Sequence, residues 1–442
     1  MEAGGIGRAA AGQGPAGLLK VAAIAQPRWS RRGNRGRTAQ LTTSGKHLSA
    51  ILSLLLLSAC AGPAPTASYH AVVDAGSSGS RIHLYQASHT ASGIEINDVA
   101  QVESDGAGGL SSYQAQSEQA GPQGMQPLLQ ALNDWLLERR IPRHAVPVDV
   151  LATAGMRLLE HKDGPAANAI YRSVRQAILD NGYQAGELRT ISGDEEGLYA
   201  WVDVNYLYRN FQEGRRTTGL VEVGGASAQV AYETRQRDHA HAYAVNIAGT
   251  SYSVLSVSFL GLGQNEARKA MVLASGATEQ PCYPNNDRGS APGAFDAGGM
   301  QIVSGNYRYG RCEDLYQTVL SAFRVRDKAI AAGFDTGGFV GISSIYHALN
   351  NWHVLDRPAM LAQEVERQCS GADAWSLKVA PAQGGTSGFA QNACANGTFI
   401  HALLFDPRHG LGLSAERLHA AGRINGQSPS WTRGYLLVRR SQ

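Results

Sequence analysis

Residues 71–85 read AVVDAGSSGSRIHLY, and residues 219–232 read GLVEVGGASAQVAY. Both run from apolar residues into one carboxylate, Asp74 or Glu222, then through a turn of small residues and back into apolar sequence. The alternating Val, Ile, Leu and Tyr on either side predict strand, tight turn, strand in each copy. Glycines in such a turn let backbone N–H groups converge and let a ligand approach the main chain, which makes a concavity for anions. Serine hydroxyls add donors suited to phosphate oxygens. A carboxylate at the strand end would repel that phosphate unless a divalent cation lay between them. Asp74 and Glu222 are therefore read as holding Mg2+ or Ca2+ through water molecules. A P-loop is excluded, because no GxxxxGK[ST] occurs and a strand rather than a helix follows each turn.

Two further stretches narrow the chemistry. Residues 150–159, VLATAGMRLL, predict a buried strand, a small-residue turn and a helix whose N-terminus could face an anion. Thr153 there offers a hydroxyl to a hydrated metal, while Arg157 either meets phosphate or pairs at the surface. Residues 191–201, ISGDEEGLYAW, place three acids at the start of a helix. For Asp194 and Glu195 the helix dipole is a sufficient explanation. Glu196, next to Gly197, is the candidate general base for in-line attack of water on a terminal phosphoryl group.

Two phosphate loops on two related lobes suit the actin, Hsp70 and hexokinase-like architecture, with the ligand in the cleft. The strings DAGSSGSR (74–81), ATAGMRLL (152–159), SGDEEGLYAWVDVNYL (192–207) and EVGGASAQ (222–229) resemble, in order and spacing, the apyrase motifs of the ecto-nucleoside triphosphate diphosphohydrolase family, the GDA1/CD39-type nucleoside phosphatases. SWTRGY (430–435) resembles the family's terminal tryptophan motif, and FVGISSIYH (339–347) the segment that walls the nucleobase. The likeness covers about residues 69–438. It implies stepwise hydrolysis of nucleoside tri- and diphosphates to monophosphates, dependent on Mg2+ or Ca2+. Position by position, it implies that Asp74 and Glu222 hold the cation's waters, with Thr153 and Trp431 near that shell. Ser77, Ser78 and Gly79, with Gly224, Gly225, Ala226 and Ser227, bind phosphates. Gln229 places the attacking water, Glu196 is the base, and Tyr346 stacks on the nucleobase. The chain departs from the family pattern at Glu222, where aspartate is usual, and at His347 and Ile345, where aromatic residues are common.

The chain has 442 residues and a formal charge of +3. Arg8, Lys20, Arg28, Arg31, Arg32, Arg35, Arg37 and Lys46 face the single acid Glu2 in residues 1–60, so the remaining body is net acidic. Nucleic-acid binding by the body thereby loses its electrostatic basis. Residues 46–60, KHLSAILSLLLLSAC, have the layout of a signal peptide and are too short to span a bilayer. LSAC (57–60) resembles a bacterial lipobox, so Cys60 is expected to be lipidated and to anchor an exported protein at the periplasm or cell surface, on the outer membrane. The other four cysteines allow three pairings; Cys282–Cys312 with Cys369–Cys394 is expected, because each pair closes a local loop. Residues 282–312 read as a turn-rich surface excursion. Thirteen histidines without an HxxxH pair speak against a histidine metal site. His83 reads as a residue on a strand face.

The expected fold is α/β, two RNase H-like lobes with an interlobe active-site cleft. Residues 1–60 are leader, 61–67 linker, 68–191 with 424–442 lobe I, and 192–423 lobe II. A monomer is expected. The rival readings are an exopolyphosphatase-like phosphohydrolase, and a nucleotide-binding surface protein without turnover.

Overall fold

The AVVDAGSSGSRIHLY stretch forms a hairpin, β1 (Ser68–Ala75) and β2 (Ser80–Thr90), in which Asp74 pairs with Arg81 and Ala75 with Ser80. The computed structural model describes residues 21–23, 68–90, 93–103, 108–212, 215–275, 279–284, 288–290, 302–330, 337–370 and 392–441; Cys60 and the 61–67 linker lie outside them. β3 (Gly93–Glu103) lies antiparallel to β2, and β4 (Pro147–Ala152) and β5 (Gln184–Thr190) continue the sheet in parallel on the other side of β1. Val21–Ala23, inside the segment read as leader, pairs antiparallel with β3 at the sheet's edge. A free strand edge accepts any extended segment that offers matching N–H and C=O groups.

The second copy builds the second sheet the same way. β6 (Gly219–Val223) and β7 (Ser227–Glu233) form an antiparallel hairpin with Glu222 opposite Gln229. β8 (Ala242–Ile247) and β9 (Thr250–Leu260) extend it antiparallel, while β10 (Phe339–Ser343) and β11 (Leu418–Ala420) extend it in parallel from β6. The sheet orders are therefore β3-β2-β1-β4-β5 and β8-β9-β7-β6-β10-β11. Each has a hairpin at its centre, with antiparallel strands on one side and parallel strands on the other.

Helices fill the space around both sheets. α1 (Gln126–Glu138) and α2 (Ala154–Asp180) bury Leu128, Leu132, Leu159, Ile170 and Ile178 against Ala71, Val73 and Val150 of the first sheet. In the second lobe, α4 (Gln264–Ser275), α5 (Tyr309–Phe323), α6 (Ser344–Asn351), α7 (Leu361–Cys369) and α8 (Ala393–Phe405) share a core with Val221, Val223 and Val230. Disulfides join Cys282 to Cys312 and Cys369 to Cys394, the sequential pairing. The 282–312 stretch is not wholly superficial, because Cys282, Tyr283, Tyr307 and Cys312 at its ends are buried in that core.

A third core lies between the sheets. α3 (Gly193–Leu207) and α9 (Trp431–Ser441) pack together there with Val72, Leu151, Leu220, Val340 and Ile342. Side chains alternate faces along a strand. Val72 therefore puts Asp74 on the interlobe side of the first sheet, and Leu220 puts Glu222 on the interlobe side of the second. The two carboxylates approach one space from opposite walls.

The α3–α9 contact carries a buried ion pair. Arg433 Nε lies 2.8 Å from Asp203 Oδ1 with both side chains fully buried, and the Ser430 backbone N–H donates to Asp203 Oδ2 at 2.7 Å. Arg433 also donates to Gln427 and to the Ser428 carbonyl. Removing one partner of a buried pair leaves an uncompensated charge. Arg433→Met is thus expected to cost about 3–5 kcal/mol of unfolding free energy in urea titrations. Adding Asp203→Asn, which removes the stranded charge and keeps an acceptor for Ser430, should recover part of that loss. A single-variant loss below about 1 kcal/mol would show that this pair is not what fastens α9 to α3.

Candidate active site

The two hairpin turns meet across the interlobe space. A Cβ built on Gly225 would lie 2.6 Å from Ser77 Oγ and 3.0 Å from Ser78 Oγ, so Gly225 is glycine because the other loop occupies the position of a side chain. Gly155, at the start of α2, abuts the first loop in the same way, with its absent Cβ 2.9 Å from Ser77 Cα. Ser77, Ser78, Gly79, Gly224, Gly225, Ala226 and Ser227 thus belong to two facing turns, and α2 presents its N-terminus beside them. Thr153 links β4 to α2; its backbone N–H donates to the Ala75 carbonyl at 3.2 Å, and its buried side chain does not cap the helix.

α3 delivers Glu196. Ser192 caps this helix, accepting from the Glu195 backbone N–H at 3.1 Å while the Glu195 carboxylate accepts from the Ser192 N–H at 2.8 Å. Arg189 holds the same carboxylate with two donors. Asp194 accepts from His241 Nδ1, Tyr243 Oη and the Ser258 backbone N–H, which fastens the helix start to β8 and β9. Asp194 and Glu195 are therefore committed to the helix and its neighbours. Glu196, next along the turn, faces the cleft.

The surroundings of Glu196 are specific. Arg157 Nη2 donates to Glu196 Oε2 at 2.7 Å and to Ser227 Oγ at 3.1 Å. Gln229 Nε2 donates to Glu196 Oε2 at 3.2 Å, to Ser227 Oγ at 2.7 Å and to Ser258 Oγ at 3.1 Å. Arg157 is therefore no surface cation: it is nearly buried and fastened to the candidate base and to the second hairpin turn. No local pattern announces these contacts, because Arg157, Glu196 and Ser227 meet only once α2, α3 and β7 have packed.

Three carboxylates share the space. Burial pushes the Glu196 carboxyl above its ordinary range, the Arg157 guanidinium pulls it back, and Asp74 adds to the rise. Burial also raises Asp74, opposed by Arg81, His83 and a hydrogen bond to the Trp431 side chain. Glu222 is pushed up to about 8 by burial and by the charges of Glu196 and Asp74, against a hydrogen bond from Ser343. Its Oε2 is buried without a partner among the described residues. Acids drawn together in low dielectric suit a divalent cation. Among the described residues no three His, Cys, Asp or Glu side chains stand close enough to ligate a metal directly. The oxygen donors Asp74 and Glu222 on facing walls, one with a free buried oxygen, fit a hydrated Mg2+ or Ca2+.

Tyr346 and His347 stand on α6, just beyond Ser343. Gly422 packs on the Tyr346 ring, where a Cβ would fall 2.6 Å from it, and the Tyr346 and His347 rings meet edge to face at 5.4 Å. Ile345 is buried in the second lobe's core rather than lining the cleft. Burial and the Arg81 charge lower the His347 pKa. His83 lies on the interlobe face of β2, buried and bonded to Asp98 through Nδ1 at 2.8 Å.

The sequence profile of the GDA1/CD39 (nucleoside phosphatase) family matches residues 64–442. Ectonucleoside triphosphate diphosphohydrolase 3 of Homo sapiens is 30% identical over 249 residues, 50% of this chain and 46% of that protein. Ectonucleoside triphosphate diphosphohydrolase 2 of Mus musculus is 26% identical over 420 residues, 84% of this chain and 82% of that protein. The chain thus spans about half the length of the first of these relatives and most of the second. Among solved structures, a nucleoside triphosphate hydrolase from Neospora caninum superposes with a TM-score of 0.60 at 17% identity, covering 89% of this chain and 96% of that one, a likeness of fold. With the twin hairpins, the facing loops and a profile match across the whole body, this chain belongs to the GDA1/CD39 nucleoside phosphatase family.

Proposed function

We propose that this protein hydrolyses nucleoside tri- and diphosphates to nucleoside monophosphates and phosphate by direct attack of water. The observation that carries the reading is the convergence of Glu196, Gln229 and Arg157 on Ser227 of the second phosphate loop. A buried carboxylate lies within one hydrogen-bonded contact of the loop where a terminal phosphoryl group would rest.

The turns at 76–79 and 224–227 would bind the phosphate chain from both lobes through backbone N–H groups and serine hydroxyls. Gln229 would orient a water beside Glu196. As the water oxygen bonds to the terminal phosphorus, its proton passes to Glu196, and the bridging P–O bond breaks so that the shortened nucleotide leaves with the electron pair. Asp74 and Glu222 would hold a hydrated Mg2+ or Ca2+, with Thr153 and Trp431 beside its waters; bound there, the cation neutralises charge on the phosphate chain. Positioning and preorganised donors supply most of the barrier reduction in such a site. Tyr346 would stack on the nucleobase, a contact that any base satisfies.

The surroundings of this catalytic core are part of the same reading. Lobe I would comprise 68–191 with 424–442 and lobe II 192–423, working as a monomer. Cys60 would carry a lipid that places the enzyme on the periplasmic or outer face of the cell. Mass spectrometry of the membrane fraction would show an acylated Cys60 N-terminus, and an unmodified Cys60 would dismiss the anchor. No described helix is long and apolar enough to cross a membrane.

Phosphate release by the purified 61–442 body from ATP, ADP, AMP and polyphosphate, each with Mg2+, Ca2+ or EDTA, tests the function. Cation-dependent release from ATP and ADP but not AMP is expected. Release from polyphosphate alone would replace the reading with an exopolyphosphatase, and nucleotide binding without release would make this a binding protein. Glu196→Gln should lower kcat by at least about 100-fold, the usual contribution of general-base catalysis, while nucleotide binding survives; a near wild-type rate would remove Glu196 as base.

The Arg157 contact gives a second prediction. A general base works when deprotonated, so the rate falls as pH drops through its pKa. Arg157 holds that pKa down against burial. Arg157→Met should therefore move the acid limb of the kcat profile to higher pH, by about one to three pH units for a charge in direct contact. An unmoved acid limb would uncouple Arg157 from the base.

A further inference from the structure

Glu222 is held by a residue outside the four phosphate-loop and helix motifs, in the FVGISSIYH segment, for which the resemblance implies only a nucleobase contact. Ser343, the last residue of β10, donates its hydroxyl to Glu222 Oε1 at 2.9 Å. β10 runs parallel to β6, with Ile342 beside Glu222 and Ser343 beside Val223. In that register Ile342 and Glu222 share the interlobe face, and a regular strand would turn Ser343 to the opposite face, with Val223. The backbone prevents this. Ser343 has φ 56° and ψ −125°, a conformation that glycine adopts freely and a residue with a Cβ rarely does. That bend starts α6 and brings the hydroxyl round to Glu222. A strained residue that is not glycine, where glycine would relieve the strain, implies that the side chain is needed there.

Glutamate explains why. Its extra methylene gives the carboxylate a further rotatable bond and a longer reach than Asp74 has on the facing hairpin. Fastening Oε1 to Ser343 removes that freedom and leaves Oε2 buried and without a partner among the described residues. We propose that Ser343 is a positioning residue that fixes the Glu222 side chain so that Oε2 meets a hydrated divalent cation, compensating for glutamate in place of a shorter acid. The proposal rests on the reading of Asp74 and Glu222 as cation-holding residues.

The test is Mn2+ binding to the nucleotide-free protein, followed by the loss of the free-ion electron paramagnetic resonance signal. Ser343→Gly removes the hydroxyl and relieves the backbone, so its thermal midpoint should equal or exceed that of the wild type while Mn2+ affinity falls about tenfold or more, as when an outer partner of a metal site is lost. Ser343→Ala, which keeps the Cβ, should lose the same affinity. Phosphate release should show the split: the Mg2+ concentration for half-maximal rate rises, while kcat at saturating Mg2+ changes by less than about threefold. Glu222→Asp draws the carboxylate out of Ser343's reach, so adding Ser343→Gly to it should change Mn2+ affinity by less than about twofold. Wild-type affinity in both Ser343 variants would overturn the proposal and leave the nucleotidase reading standing. A full tenfold further loss in the Glu222→Asp background would also overturn it, because Ser343 would then act without Glu222. A wild-type protein that binds no Mn2+ and releases no phosphate would overturn both readings together.

Discussion

Negative charge confined between two sheets governs this structure. Asp74, Glu196 and Glu222 come from three elements and face one poorly solvated space, where each raises the cost of ionising the others. For Glu222 the carboxyl rises from 4.5 to about 8, and each tenfold in acidity is worth about 1.4 kcal/mol, so holding it ionised at neutral pH costs the site a few kcal/mol. A fold does not keep such an arrangement for stability, since well-packed apolar residues would serve better. Arg157 compensates Glu196 in place. The free Oε2 of Glu222 has no such compensation among the described residues, and this asymmetry fits the proposed division into a base and a cation-facing group.

The confinement follows from strand periodicity applied twice. Each hairpin buries one set of alternate residues under its own helices and turns the other set toward α3 and α9. Because the acid sits one residue before the strand ends in both copies, Asp74 of Ser68–Ala75 and Glu222 of Gly219–Val223, both emerge on the interlobe face at the mouth of a turn. A slip of one residue in either hairpin would send its carboxylate into the apolar core of its own lobe. Register is thus fixed by the same hydrophobic residues that make the fold, and the site needs no separate mechanism to align its two halves.

What could be read from the sequence divides along the same line. The hairpins, the facing turns and the place of Glu196 at a helix start were legible, because each is written within a dozen residues or in a direct echo, and the disulfide pairing because each pair closes a local loop. Arg157 is legible as a cation near the site but not in its role: its partners Glu196 and Ser227 lie on a helix and a strand far along the chain, and charge alone does not choose between surface and site. Asp203 and Arg433 were legible only as members of motifs, and their buried pairing depends on the crossing of α3 and α9. Ser343 left no trace at all. Its bond to Glu222 requires the parallel pairing of β10 with β6 and a backbone conformation that no residue type in FVGISSIYH announces.

The interlobe core also constrains motion. α9 packs along α3 and reaches β3, β8 and β1, so the C-terminal helix touches both sheets and the helix that carries Glu196. Trp431, at its first residue, lies close enough to Asp74 to hold its carboxyl down against burial, while Arg433, two residues on, locks Asp203 of α3. Any relative movement of the two hairpins must therefore pass through a helix pair joined by a fully buried ion pair whose atoms tolerate little displacement. This is why the three acids keep a common frame although they come from two sheets and a helix: α9 packs against β1 of one wall and fastens α3 of the centre through Arg433, and Ser343 fastens Glu222 of the other.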